Sequence, residues 1–320
     1  IRPAEIMRSP AELYEVFRRV NVHDLGPMSD EELTARLQKH HQVLCIVNTR
    51  AHAQHLHASL SEHGRCFHLS ARMCPIHRRK QLKEIKDLIK AGAECRVVST
   101  QLIEAGVDID FPIVYRGATG IDSVAQAAGR CNREGKAERG EVYVFRSTER
   151  YGQATSWQRL TAEVGRMVMD IYGDPLSLRA VEAYFQRLYS YKGDKGLDRE
   201  GILESFEKRA RELAFPFEDV GWKFCIIEQG TKDLIVPYGD EGRALLDELR
   251  ASESPWKYAR HLQGYTINIY PNEFRELERA GKIDLFGDRF WILNDMSQYS
   301  EEIGLINRKG NEGEGSLLIV

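Results

Sequence analysis

The sequence predicts an α/β fold: a doubly wound parallel sheet over residues 1–150, a helical linker over 151–215 and a small α+β domain over 216–320. Three observations carry that prediction. Short apolar runs alternate with helix-patterned stretches through the first half, the order of a parallel sheet wound with crossover helices. One run, Val43-Leu44-Cys45-Ile46-Val47, is apolar at every position, as a strand buried on both faces must be. After residue 150 the spacing becomes helical, and after 216 short alternating runs with turn residues return.

Taken in order, Val16, Phe17, Val20 and Val22 read as a strand within 13–24, ended by Gly26-Pro27. Ser29-Asp30-Glu31-Glu32 is a capping-box pattern and opens a helix to about His41. The Val43–Val47 strand follows. Then come a helix from Arg50 to His63 closed by Gly64, a strand at Cys66–Leu69, and a helix from Pro75 to Ala91 closed by Gly92. Further strands fall at Arg96–Ser99, Ile113–Tyr115 and Val142–Phe145. In the linker, Val164, Val168 and Ile171, then Val181, Phe185 and Leu188, keep helical spacing; Gly193, Gly196 and Gly201 mark a loop before a charged helix at Ile202–Leu213. In the last third, Trp222–Glu228 and Asp233–Tyr238 read as a hairpin and Tyr265–Tyr270 as a strand. Pro271 starts a helix, Phe290–Leu293 is a strand, and Gly310–Gly315 reads as a tail.

Composition narrows the function classes. No run approaches 18 apolar residues and no charged-then-apolar leader is present, so neither a membrane span nor a secretory peptide is supported. The cysteines, Cys45, Cys66, Cys74, Cys95, Cys131 and Cys225, show no C-x-x-C spacing, which points to reduced thiols in a cytoplasmic protein. The net charge of −3 is uneven: 23 Lys+Arg against 19 Asp+Glu over residues 1–150, and 22 against 29 over 151–320. A polyanion should therefore prefer the first half. The chain opens on Ile1, which suggests a fragment or processed product.

Two motifs carry chemistry. In the octet Gln126-Ala127-Ala128-Gly129-Arg130-Cys131-Asn132-Arg133, taken as a helix capped by Ser123 and its exit, Gln126, Arg130 and Arg133 fall on one face within about 6 Å. Two guanidinium forks and an amide suit phosphate oxygens, although paired arginines on a helix are more often solvated or tied to carboxylates. In Val97–Asp110 a strand ends in Ser99-Thr100-Gln101, Gly106 lets backbone approach a ligand, and Asp108 can accept from a ribose hydroxyl. A Ser-Thr after a strand is often only a turn. Because ligands of doubly wound sheets bind beyond the carboxyl ends of the strands, Asn48-Thr49-Arg50, Ser70-Ala71-Arg72 and Ser99-Thr100-Gln101 should share one edge.

On these residues the chain resembles the second RecA-like domain of a superfamily 2 helicase, with Asn48-Thr49-Arg50 at motif IV, Ser99–Asp110 at motif V and the octet at motif VI. The wording "STQLIEAGVDIDF" and "AQAAGRCNREG" is similar in particular to the CRISPR-associated helicase-nuclease of type I systems. Leu178–Tyr189 and the Tyr299 to Leu305 ending resemble that family's linker and C-terminal domain more weakly. The resemblance implies that Arg130 and Arg133 meet the γ-phosphate of ATP, Arg133 as arginine finger, and that Gln126 reports nucleotide state. It implies that Gly106 and Asp108 touch nucleotide, while Thr49, Arg50, Ser70, Arg72, Thr100 and Gln101 track the phosphates of single-stranded DNA. The wording around Ser70-Ala71-Arg72 departs from the family's, which puts that loop in doubt.

The sequence contains no G-x-x-x-x-G-K-[ST] loop and no D-E-x-[HD] box for Mg2+, and its one His-Asp dipeptide, His23-Asp24, is not read as that of a metal nuclease. The resemblance therefore implies ATP and Mg2+ chemistry shared with an upstream ATPase and nuclease half, with nuclease metals outside this chain and none bound here. Implied partners are single-stranded DNA and the CRISPR RNA-guided surveillance complex; whether an anti-CRISPR inhibitor binds is not readable. Competing expectations are a non-catalytic DNA- or complex-binding module and another superfamily 2 motor acting on RNA. The basic residues Arg78, Arg79, Lys80, Lys83, Lys86 and Lys90 read as a solvated helix face, with a DNA track the rival. His40-His41, His52, His55, His57 and His77 lack the partners of a metal site, and Trp222, Trp256 and Trp291 read as packing residues.

Overall fold

The structure, a computed structural model, describes residues 6–104, 106–152, 154–210, 213–224 and 230–306. Its first part is a six-stranded sheet of β1 (Val20–Met28), β2 (Gln42–Ile46), β3 (Cys66–Leu69), β4 (Cys95–Ser99), β5 (Ile113–Gly117) and β6 (Gly140–Ser147), in the spatial order β1-β6-β5-β2-β4-β3. Every pairing is parallel. Helix α1 (Pro10–Phe17) precedes β1, and helices α2 (Asp30–Gln38), α3 (Arg50–Ser61), α4 (Pro75–Lys90) and α5 (Ile121–Ala128) connect strands.

The continuous apolar run of β2 follows from this layering. Val43, Cys45 and Val47 pack with Leu33, Leu37, Leu56 and Leu60 of α2 and α3. Leu44 and Ile46 face the opposite core, which holds Ile85 of α4 and Ala127 of α5. The Ser29 capping box is formed, with Ser29 and Glu32 each bonding the other's backbone amide.

The expectation for 13–24 is corrected. Val16 and Phe17 belong to α1 and are exposed, and β1 runs through Gly26-Pro27 with a register shift between Asp24 and Pro27. Pro27 is tolerated because β1 is the sheet edge.

Two long helices follow, α6 (Ser156–Ile171) and α7 (Leu178–Leu197), with a break in helical geometry at Gly193. Their apolar faces close on α5, where Ile121 packs with Val164, Val168, Ala180 and Tyr184. Gly165 makes that approach possible, since a Cβ there would sit 2.5 Å from the Thr119 carbonyl oxygen. Then come α8 (Ile202–Ala210) and α9 (Phe217–Lys223). Trp222 thus lies on a helix rather than in a strand, and is 84% exposed rather than packed; the rest of that expected strand, 225–228, falls outside the described residues, as do Cys225 and the glycine-rich tail.

The last part is a four-stranded sheet of β7 (Lys232–Ile235), β8 (Thr266–Ile269), β9 (Ile283–Phe286) and β10 (Phe290–Leu293), in the order β8-β7-β10-β9. It carries α10 (Gly239–Ala251), α11 (Ala259–Leu262) and α12 (Pro271–Arg279), with a short pair β11 (Tyr299–Ser300) and β12 (Gly304–Leu305). Its core reaches across to Cys74 at the start of α4. The same seam holds the buried ring of His77 against Tyr299 and Tyr238. Among the described residues no helix is long and apolar enough to cross a membrane.

Candidate functional site

The sheet rule places the β2, β3 and β4 loops on one edge, and the structure shows what each does there. Thr49 caps α3, its hydroxyl accepting from the His52 amide at 3.2 Å. Arg50 opens that helix, and its guanidinium lies over the Tyr270 ring, 5.2 Å from the centroid. Thr100 and Gln101 are half-buried at the start of a short 3-10 turn.

Ser70 and Arg72 are placed otherwise. Ser70 is fully buried, its hydroxyl 2.9 Å from His68 Nε2. Arg72 is 3% exposed, ion-paired to Glu273 of α12 and bonded through Nε to the Leu305 carbonyl oxygen. Leu305 returns its amide to the Arg72 carbonyl at 3.0 Å. Arg72 thus holds the C-terminal part against the sheet, while the Ser70 hydroxyl braces the loop beneath it, accepting from the Arg72 amide; neither faces open surface, which corrects the expectation that they track DNA phosphates.

The octet also differs from its sequence reading. Helix α5 starts at Ile121 behind Gly120, so Ser123 is inside it, and Gly129 ends it. Arg130 and Arg133 lie beyond the helix, with Asn132 in a left-handed turn at φ 47°. Helical spacing therefore does not align Gln126, Arg130 and Arg133; Gln126 stays exposed on α5.

Another contact set brings the two arginines to the 100–110 segment. That segment and α5 both run back across the sheet from a strand's carboxyl end to the next strand's amino end. Phe111 exchanges backbone hydrogen bonds with the octet: its amide donates to the Arg130 carbonyl and its carbonyl accepts from Asn132, both at 2.9 Å. Arg130 Nε donates to the Ile103 carbonyl at 3.0 Å and Nη2 to that of Glu104. Arg133 pairs with Asp108, and its amide donates to Asp110 Oδ1 at 2.7 Å. Gly106 sits exposed at φ 69°, with nothing within 4 Å of where a Cβ would be. Burial and the adjacent Arg133 charge both lower the Arg130 pKa. Two guanidiniums are thus fixed beside an open glycine turn, an arrangement suited to a polyanionic phosphate.

Sequence reasoning missed the charges beneath this loop. Arg116, 0% exposed, meets Glu104 Oε1 through Nε at 2.7 Å, and Arg116 Nη1 donates to Asn48 Oδ1 at 2.5 Å. Burial pushes the Glu104 carboxyl up, Arg116 pulling the other way. The available signal was Arg116 itself: a charge inside the apolar strand Ile113-Val114-Tyr115 must find a buried partner.

The histidines serve structure. His52 Nε2 is 2.8 Å from Asp30 Oδ1, and His57 bonds the Cys66 carbonyl. Among the described residues no group of three or more His, Cys, Asp or Glu side chains converges as a metal site requires. Burial raises the thiols of Cys66, Cys95 and Cys131 to about 12.

Residues 39–136 match the family model described as CRISPR-associated nuclease/helicase Cas3, C-terminal. The CRISPR-associated nuclease/helicase Cas3 of Haloferax volcanii is 48% identical over 67 residues, 20% of this chain and 7% of the relative. That of Methanothermobacter thermautotrophicus is 24% identical over 175 residues, 53% of this chain and 20% of the relative. Among solved structures, T. fusca Cas3-ADP is similar at a TM-score of 0.56 and 16% identity, over 91% of this chain and 40% of that one. A CRISPR RNA-guided surveillance complex in a pre-nicking state is similar at 0.53 and 16%, over 91% and 44%. The structural likeness shows the fold, a RecA-like sheet followed by the same kind of C-terminal part. The chain spans less than half the length of each of these proteins.

Proposed function

Since residues 39–136 carry a Cas3-like C-terminal domain, we propose that this chain supplies the second motor domain, linker and accessory domain of an ATP-dependent translocase on single-stranded DNA used in CRISPR interference. The observation that carries the reading is the double anchorage of Arg130 and Arg133 on the 100–110 loop. In phosphoryl transfer the protein acts mainly by positioning charge, because the transition state spreads negative charge over the transferring group. Arg133 is the finger on this reading. It is half-exposed, and among the described residues its guanidinium pairs only with a solvated carboxylate, Asp108, which a phosphate can displace. Arg130 is held by the peptide carbonyls of Ile103 and Glu104. Gln126 reads nucleotide state from α5, and Gly106 and Asp108 border the nucleotide.

A phosphate loop and the carboxylates that hold Mg2+ have to come from a facing ATPase domain, since this sequence contains neither motif. By itself the chain should be inactive. Thr49, Arg50, Thr100 and Gln101 contribute to the DNA path, bounded on its far side by Tyr270. Opening and closing of the two motor domains as nucleotide turns over moves the strand. The surveillance complex and an upstream nuclease are the partners on this reading, and the cytoplasm is where they meet.

The test is Arg133→Ala in the enzyme containing the ATPase domain. ATP turnover on single-stranded DNA should fall by about 10³–10⁵, with nucleotide affinity changed only several-fold. Near-normal turnover overturns the assignment.

A further inference from the structure

Glu104 and Arg116 touch neither phosphate nor DNA on the reading above, yet their side chains are 4% and 0% exposed and carry the most deeply buried charge pair of the sheet. A buried ion pair costs about as much in lost hydration as its attraction returns, and apolar replacements are often at least as stable. Stability alone does not account for the pair.

Its contacts suggest another reason. On one side, Arg116 Nη1 donates to Asn48 Oδ1 at 2.5 Å and to the Gly117 carbonyl at 2.9 Å. The Asn48 amide nitrogen donates to the Ala118 carbonyl at 2.8 Å, so the first residue of the Asn48-Thr49-Arg50 loop is gripped at both ends of its side chain. On the other side, Arg116 Nε meets Glu104, whose own peptide carbonyl receives Arg130 Nη2. One line of contacts runs from the β2 loop through β5 and the 100–110 segment to the octet. Arg116 Nη2 makes no hydrogen bond among the described residues, and the 2.7 Å contact joins Nε and Oε1 without the alignment of a hydrogen bond. The fork therefore has donor capacity to settle in a second arrangement.

We propose that Arg116 and Glu104 are positioning residues that couple nucleic-acid phosphate at the Asn48-Thr49-Arg50 loop to the placement of Arg130 at the nucleotide. The proposal rests on the motor reading above. A phosphate drawn to Thr49 and Arg50 shifts Asn48. The rigid planar guanidinium of Arg116 passes that shift to Glu104, and the Glu104 carbonyl re-aims Arg130. Coupling between two binding equilibria is reciprocal, so nucleotide must tighten DNA by the factor by which DNA tightens nucleotide.

The experiment measures single-stranded DNA affinity of the enzyme containing the ATPase domain, with and without AMP-PNP. In the native enzyme the ratio of the two affinities should lie between about 5 and 150. In E104L/R116M, which removes both charges and keeps the volume, and in N48A, which cuts the line at a half-buried loop residue, the ratio should collapse to within about twofold of one. Thermal unfolding of each variant confirms that it is folded. Should E104L/R116M fail to fold, N48A decides. A folded variant that keeps the native ratio overturns the proposal, as does a native ratio of one. Loss of the motor reading is seen separately, as normal turnover in Arg133→Ala.

Discussion

The Tyr299 hydroxyl lies 2.9 Å from Nδ1 of His77, in the seam between the sheet and the C-terminal part. The opposite nitrogen, Nε2, sits 2.9 Å from the Glu301 carbonyl, which can only accept, so Nε2 carries the ring hydrogen and Nδ1 is the bare acceptor. Tyr299 in turn accepts from the Cys74 amide at 3.0 Å. Burial favours the neutral imidazole, in which these donors and acceptors match.

Acid should therefore loosen the seam. Burial lowers the His77 pKa, with Lys80 in the same direction and Glu301 opposing. A depressed histidine stabilises the docked form above its free value and loses that contribution as pH falls through about 6.5, by at most about 1.4 kcal/mol per pH unit. The protection factors of the 299–305 amides, taken relative to the intrinsic exchange rate at each pH, should fall as the pH drops from 7.5 to 5.5. His57 and His68 are also held neutral by burial, so the readout is the difference from His77→Gln, in which the acid response should shrink. An equal response in both proteins refutes the latch.

Gly304 tests the same seam by steric means. A Cβ there would lie 2.4 Å from the Arg72 carbonyl oxygen and 2.8 Å from the Met73 amide nitrogen, at φ +77°. Gly281 has a similar φ of +63° and nothing within 4 Å. Gly281→Ala should cost only the left-handed penalty, about 1 kcal/mol, whereas Gly304→Ala should cost about 3 kcal/mol or more, since backbone must move. Equal urea midpoints for the two variants would show that the β11–β12 pair does not dock on the Arg72 loop.

The Arg133–Asp108 pair calls for the opposite expectation. Its side chains are 44% and 78% exposed, and solvated pairs contribute about 0–1 kcal/mol. Asp108→Asn should leave the unfolding free energy within about 1 kcal/mol of native. A loss above about 2 kcal/mol in urea titration would mean that the pair is a structural strut and unfit to yield to a phosphate.

The inner strands β2, β4 and β5 were legible because they are buried on both faces, unlike the edge strand β1. Cys66–Leu69 and Phe290–Leu293 end where their apolar runs end, and Gly92 closes α4 at φ +65°. Short apolar runs without a long period were not legible. Phe217–Lys223 is helical where the run around Trp222 reads equally as strand, and β9, Ile283-Asp284-Leu285-Phe286, is too short to show a period. In the octet, Gly129 was the stop signal, and it removes Arg130 and Arg133 from the helix that their spacing suggested. The burial of Arg72 could not be read at all. Its partners Glu273 and Leu305 lie 201 and 233 positions further on, and nothing in the local wording of the loop points to them.

The strand order sets a schedule for making the protein. β1 is an edge strand whose sheet neighbour is β6, pairing Val20 with Gly140 and Met28 with Ser147. On a ribosome, residues 20–28 emerge long before residue 147, and at about 5–20 residues per second they wait for several seconds without a ladder. Chains released before β6 would expose β5 beside the empty place that β6 should fill, a template for pairing with another chain. Truncations ending short of residue 147 should accumulate as aggregates, and the shortest soluble product should be one that carries β6 complete.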